Sequence, residues 1–168
     1  VAPASAFISA AMVQAAQALL AAALRPVAGT PVVDSAAFQR DGRKLGLGSS
    51  AAVTVAAVGV LCAAAGLRPE DPGTAALIRR AAAAAHDEAQ GVRGSGADVL
   101  ASALGGVRVL QDPTPRMPLE LRGEVAGVLE PLEGATLTLP VEMLLVATGQ
   151  AASTPHLVAR YRAGVAEG

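Results

Sequence analysis

The chain is poor in aromatic side chains, in cysteine and in charge. Its aromatics are Phe7, Phe38 and Tyr161, 2% of 168 residues, with no tryptophan. A platform that stacks single-stranded bases needs successive aromatic faces, so that class of binder is disfavoured. Lysine and arginine number 13 against 14 acidic residues, a net charge of −1 with no basic run. Without a concentrated positive field, general nucleic-acid binding is disfavoured as well. The single cysteine, Cys62, excludes an internal disulfide and fits a reducing, cytoplasmic setting. It sits within an apolar helical pattern and reads as a small buried hydrophobe.

What is abundant is apolar surface. Hydrophobic residues make up 52% of the chain, which argues against disorder. The length suffices for one domain with a sizeable core. Residues 51–67 are almost wholly apolar apart from Thr54, close to the lower limit for a membrane span. Their alanine and glycine drive insertion poorly, so a core helix buried on all sides is the expected reading, and no membrane partner is expected. Residues 1–24 are alanine-rich but lack the positively charged start of a signal peptide. The first residue is Val1.

Periodicity and punctuation predict a helix over 5–24, closed by Pro26. Residues 30–36 read as a short strand or an extended lead-in, and Asp41-Gly42 marks a turn. A helix over about 49–65 is ended by Gly66. After a loop at 68–73, a helix over 74–90 stops at Gly91, and a shorter one covers 98–104 before Gly105-Gly106. Residues 107–111 alternate as a strand. Residues 124–129, 135–139 and 143–147 are further candidate strands, the first two set around Pro131 and Gly134. Ser153 or Thr154 would cap a last helix, with Pro155 in its first turn. The mixture predicts an α+β fold.

The segment Lys44-Leu-Gly-Leu-Gly-Ser-Ser-Ala-Ala-Val53 carries the chemistry. Gly46 and Gly48 permit a tight turn and close backbone approach. Ser49 and Ser50 stand where the following helix presents free N–H groups and its positive dipole end. That is a recipe for a phosphate site; the plainer reading is a glycine turn with a serine N-cap. The lysine of a Walker A loop is missing. A second block, Gln90-Gly91 followed by Gly94-Ser95-Gly96-Ala97-Asp98-Val99, brings an aspartate to the start of another helix. The plainer reading of Asp98 is an N-cap. Arg93 could bind an anionic group, since guanidinium suits phosphate and carboxylate, or could be an ordinary surface arginine. Arg43 and Lys44 could steer a nucleotide electrostatically. His156 reads as a surface residue.

Together the two blocks resemble the GHMP kinases, the family of galactokinase, homoserine kinase and mevalonate kinase. The Ala-Gln-Gly and Gly-Ser-Gly-x-Asp-Val wording is closest to the phosphomevalonate kinase branch. Thr148-Gly149 with Ser153-Thr154 is a weaker third likeness. The resemblance covers about residues 30 to 165. It implies an N-terminal domain similar to ribosomal protein S5 domain 2 over 1–115 and the beginning of a ferredoxin-like C-terminal domain over 116–168. The family's first strands and its C-terminal glycine-rich motif are not found, so the chain looks like the central part of a larger kinase, or a reduced relative.

The resemblance implies ATP and Mg²⁺, with Gly46, Leu47, Gly48, Ser49, Ser50 and Ala51 at the nucleotide phosphates and Ser50 favoured over Ser49 at the metal. It implies Asp98 as the catalytic carboxylate, and Arg93, Ser95, Gly96 and Thr154 near the acceptor. Mevalonate kinases place a metal-binding glutamate shortly before the aspartate block. Alignment on Gln90-Gly91 puts His86 there; alignment without a gap from Asp98 puts Asp87 there. Magnesium prefers oxygen, so Asp87 or Glu88 is chosen over His86, with Asp87 the expected ligand and a solvated helix face as the plainer alternative. The expected partner is a small phosphorylated or hydroxylated acid, most of all phosphomevalonate in isoprenoid synthesis. Mevalonate kinase, another GHMP kinase and a non-catalytic sensor remain alternatives, and a homodimer stays open.

Overall fold

The computed structural model describes residues 4–91, 94–111 and 130–137, together with His156 and Arg160. Within these, the architecture is mostly helical. Four helices, α1 (Ala4–Ala21), α2 (Ser49–Ala64), α3 (Pro72–Gln90) and α4 (Ala97–Leu104), accompany two small antiparallel sheets. One sheet is the hairpin β1 (Gln39–Arg40) and β2 (Arg43–Lys44); the other pairs β3 (Val107–Gln111) with β4 (Glu130–Leu137). The expected boundary near residue 115 lies outside the described residues, as do the candidate strands at 124–129 and 143–147.

The core forms where α1 packs on both α2 and α3 and where α4 closes on α2 and α3. Alanine makes this possible. Ala11 and Ala15 of α1, Ala51 of α2, and Ala82 and Ala85 of α3 are fully buried. Such small side chains let helix axes approach toward the lower end of about 8–10 Å. Leu19, Val58, Val99 and Leu100 supply the bulk, each at most 1% exposed. Cys62 is fully buried among them, and burial raises the pKa of its thiol.

Helix ends follow local chemistry. In α1 the stop comes at Ala21, before the expected residue 24, because Ala23 takes a left-handed φ of 58°. Leu24 N–H then donates to Leu19 O and Ala23 N–H to Leu20 O, a Schellman closure. Gly66 ends α2 the same way, with Leu67 N–H on Cys62 O and Gly66 N–H on Ala63 O. Helix α3 begins at Pro72, two residues before the expected start. Proline at the first helical position sacrifices an N–H that has no intrahelical carbonyl anyway.

Other expectations are corrected. Of the two readings of residues 30–36, the strand does not form; Asp34 Oδ1 accepts the Ala36 N–H and leads the chain into a 3₁₀ turn, Ala36–Phe38. The Asp41-Gly42 turn does form, with φ of 51° and 71°, and it joins β1 to β2. Positive φ at both central residues matches the twist of the flanking strands. Strand β4 runs through Pro131 and Gly134 rather than breaking there, with a register shift on β3 between Arg108 and Leu110. A local irregularity of this kind accommodates a proline that cannot donate to the ladder. Helix α2 is not buried on all sides: Ala51, Thr54, Ala57, Val58 and Cys62 face the core, while Val60 is 63% exposed. No described helix is long and apolar enough to cross a membrane.

Candidate functional site

The hairpin β1–β2 delivers the chain into a glycine turn ahead of α2. Gly46 and Gly48 both adopt φ of 74°, the left-handed region that disfavours side chains. Gly48 is the N-cap of α2, so Ser49 and Ser50 are its first two helical residues, not its cap. No side-chain hydrogen bond caps this end. The first bond back into the helix runs from Ala52 N–H to Gly48 O. Helix geometry therefore leaves the N–H groups of Ser49, Ser50 and Ala51 without an intrahelical carbonyl. With the helix dipole, that end favours an anion.

Two hollows flank α2. The larger, about 490 Å³, lies along its outer face between Met12, Val32, Phe38 and Val60 and is almost wholly apolar. It brings no acid–base pair together. The smaller, about 70 Å³, is bounded by Phe7, Lys44, Ser49 and Ser50. Lys44 thus shares a hollow with the two serines and contributes a positive charge beside the anion-favouring helix end.

The second block arrives from α3 and α4. Gly91 ends α3 with φ of 68°, and Gly96 caps α4 with φ of 72°. Asp98 is not the N-cap; it lies in the first turn, where its Oδ1 accepts the Val99 N–H at 2.9 Å. Its other oxygen, Oδ2, lies 3.5 Å from His86 Nε2. Ser95 Oγ accepts the Ala97 N–H at 3.4 Å at the mouth of the turn. Asp87 points elsewhere: its Oδ1 accepts the Gly94 N–H at 2.9 Å and ties α3 to the Gly-Ser-Gly turn. Glu88 accepts from Gln14 of α1 at 2.9 Å. Arg93 and Thr154 lie outside the described residues. His156 is exposed, as expected.

His86, the residue set aside in favour of its acidic neighbours, is where the two blocks meet. It is 3% exposed, and its ring packs 5.2 Å from the Phe7 ring. Its Nε2 lies 3.2 Å from Ser50 Oγ and 3.3 Å from the Gln90 side-chain nitrogen. Ser50 is anchored in turn, because its carbonyl accepts the buried Thr54 hydroxyl at 2.8 Å. The available signal in the sequence was the alignment on Gln90-Gly91, which selects position 86; the chemical preference of magnesium for oxygen pointed away from it.

The oxygen donors at this junction are Ser50 Oγ and Asp98 Oδ2, one hydroxyl and one carboxylate. Among the described residues, no three His, Cys, Asp or Glu side chains stand together as a metal site. Magnesium is commonly held by one or two carboxylates, with phosphate oxygens and water completing its shell. The donor set therefore fits a cation that arrives with a nucleotide, and does not form an all-protein cage.

Comparison with curated proteins and with solved structures finds no match to this chain. Residues 40–106, the span that contains the glycine turn, Ser50, His86 and Asp98, match the family model described as GHMP kinases N terminal domain.

Proposed function

We propose that the protein is an ATP-dependent small-molecule phosphotransferase whose acceptor is phosphomevalonate. The observation that carries the first part is the meeting of the two sequence blocks. Ser50 after the glycine turn and Asp98 after the Gly-Ser-Gly turn both approach one buried nitrogen, His86 Nε2, at 3.2 and 3.5 Å. Phosphoryl transfer depends on positioning and charge neutralisation more than on covalent chemistry. The start of α2 offers backbone N–H groups to the nucleotide phosphates, and Lys44 adds positive charge. Ser50 and Asp98 are the oxygen donors that would hold Mg²⁺, which would supply charge neutralisation at the nucleotide phosphates.

In the transfer, an acceptor oxygen bonds to the γ-phosphorus, the bond from that phosphorus to the β-phosphate bridging oxygen breaks, and ADP leaves. With a hydroxyl acceptor, Asp98 accepts the proton. With a phosphate acceptor the attacking oxygen is already an anion, and Asp98 would orient the acceptor. The choice of phosphomevalonate rests on the Ala-Gln-Gly and Gly-Ser-Gly-Ala-Asp-Val wording around residues 89–99.

A coupled ADP-release assay on the full-length protein, with mevalonate and phosphomevalonate in turn, tests this reading. ADP release that depends on phosphomevalonate supports it. Turnover with mevalonate alone overturns the acceptor and keeps the kinase. ATP binding without turnover favours a sensor, and no ATP binding removes the nucleotide reading altogether.

A further inference from the structure

We propose that His86 is a positioning residue that fixes Ser50 and Asp98 relative to one another through a single ring nitrogen; the proposal rests on the phosphotransferase reading above. The ring is held from one side by Phe7 of α1 and is almost fully buried. Its Nε2 then faces three groups from three helices: Ser50 Oγ of α2, the Gln90 amide of α3 and Asp98 Oδ2 of α4. A histidine present only to satisfy the core would need no more than Gln90, one helical turn away. This one also joins the phosphate-loop hydroxyl to the acceptor-side carboxylate.

Nε2 is the one atom common to the three contacts, so the packing of the ring against Phe7 sets where Ser50 Oγ and Asp98 Oδ2 stand relative to one another. Asp98 of α4 is the charged group at the ring nitrogen, and Lys44 lines the hollow that Ser50 and Phe7 also line. On α3 itself, Asp87 is engaged by the Gly94 N–H and Glu88 by Gln14.

Two measurements on the full-length protein test the proposal. The first reads ¹⁵N chemical shifts of the labelled imidazole and needs no turnover. Asp98→Asn and Ser50→Ala should each move the His86 Nε2 resonance more than Nδ1, with the thermal midpoint near that of the wild type. An Nε2 resonance unmoved by both variants overturns the proposal. The second reads phosphomevalonate turnover. His86→Ala should lower kcat about 10–100-fold, the range for groups that orient a site residue, and leave ATP Kd within about threefold. His86→Gln, which places an amide near the position of Nε2, should recover part of the loss. A His86→Ala kcat within about threefold of wild type, or a loss shared equally by ATP binding, overturns the proposal. If the wild-type protein turns over no acceptor, the phosphotransferase reading fails by itself and the resonance shifts decide the contact network. If His86→Ala does not fold, His86→Gln and the resonance shifts decide.

Discussion

Ser50 Oγ and His86 Nε2 lie 3.2 Å apart although 36 positions separate them in the chain. The contact exists because the alanine-lined seam between α2 and α3 lets the two helices approach closely. Ala51 and Ala85, the immediate neighbours of this pair, are both fully buried. The site is thus assembled by the core, and its functional consequences divide from its structural ones in predictable ways.

Asp98→Ala should cut kcat by about 10²–10⁴-fold and weaken nucleotide binding far less, because an acid–base or acceptor-orienting group acts mainly in the transition state. Steady-state kinetics at saturating acceptor, with Kd measured separately, make the comparison. A near-normal kcat would leave Asp98 with only its local bond to the Val99 N–H.

Gly48→Val should weaken ATP binding and lower the thermal midpoint. A Cβ at this position meets nothing within 4 Å, so crowding is not the cause. The cause is the φ of 74°, which costs an L-residue about 1–2 kcal/mol and a β-branched one more. Nucleotide titration and a thermal melt give the two effects separately.

Gly59→Ala provides the contrast. Gly59 lies inside α2, takes an ordinary helical φ, and an added Cβ again meets nothing within 4 Å. The alanine should stabilise the fold by about 0.5–1 kcal/mol, chiefly by restricting the unfolded chain. Chemical denaturation should show the midpoint move up with an unchanged slope; a downward shift would contradict the open space at this position.

Leu19→Ala should destabilise the fold by about 2–5 kcal/mol, because the side chain is 1% exposed and its removal leaves a cavity between helices. The same denaturation experiment measures the loss. A cost below about 1 kcal/mol would mean that the alanine-rich surroundings collapse into the space.

The Cys62 thiol ionises at higher pH in the folded chain than in the unfolded one, because burial disfavours the thiolate. Its contribution to stability is therefore complete below the ordinary thiol range. It declines as pH rises, since the unfolded chain loses its proton first. Thermal midpoints should fall above about pH 8.5, and fall less in Cys62→Ala. Thiol labelling of the native protein should be far slower than that of the denatured one.

The sequence by itself determined whatever depends on a residue and its immediate neighbours. Gly48, Gly66, Gly91 and Gly96 mark helix boundaries because each adopts a left-handed φ that other residues resist. The 49–65, 98–104 and 107–111 elements were legible from period and punctuation, and the glycine turn before Ser49 carried its own anion-favouring chemistry. Even locally the reading had limits: Ala23 closes α1 where no glycine announces it, and Asp34 turns a β-branched stretch away from strand. Tertiary structure alone decided which of the three residues 86–88 meets Ser50. His86, Asp87 and Glu88 are consecutive on α3, so composition cannot separate them. Side chains on a helix diverge by about 100° per residue, and only the packing of α3 against α1, α2 and α4 chose among them. That packing turned His86 to Ser50 and Asp98, Asp87 to Gly94 and Glu88 to Gln14.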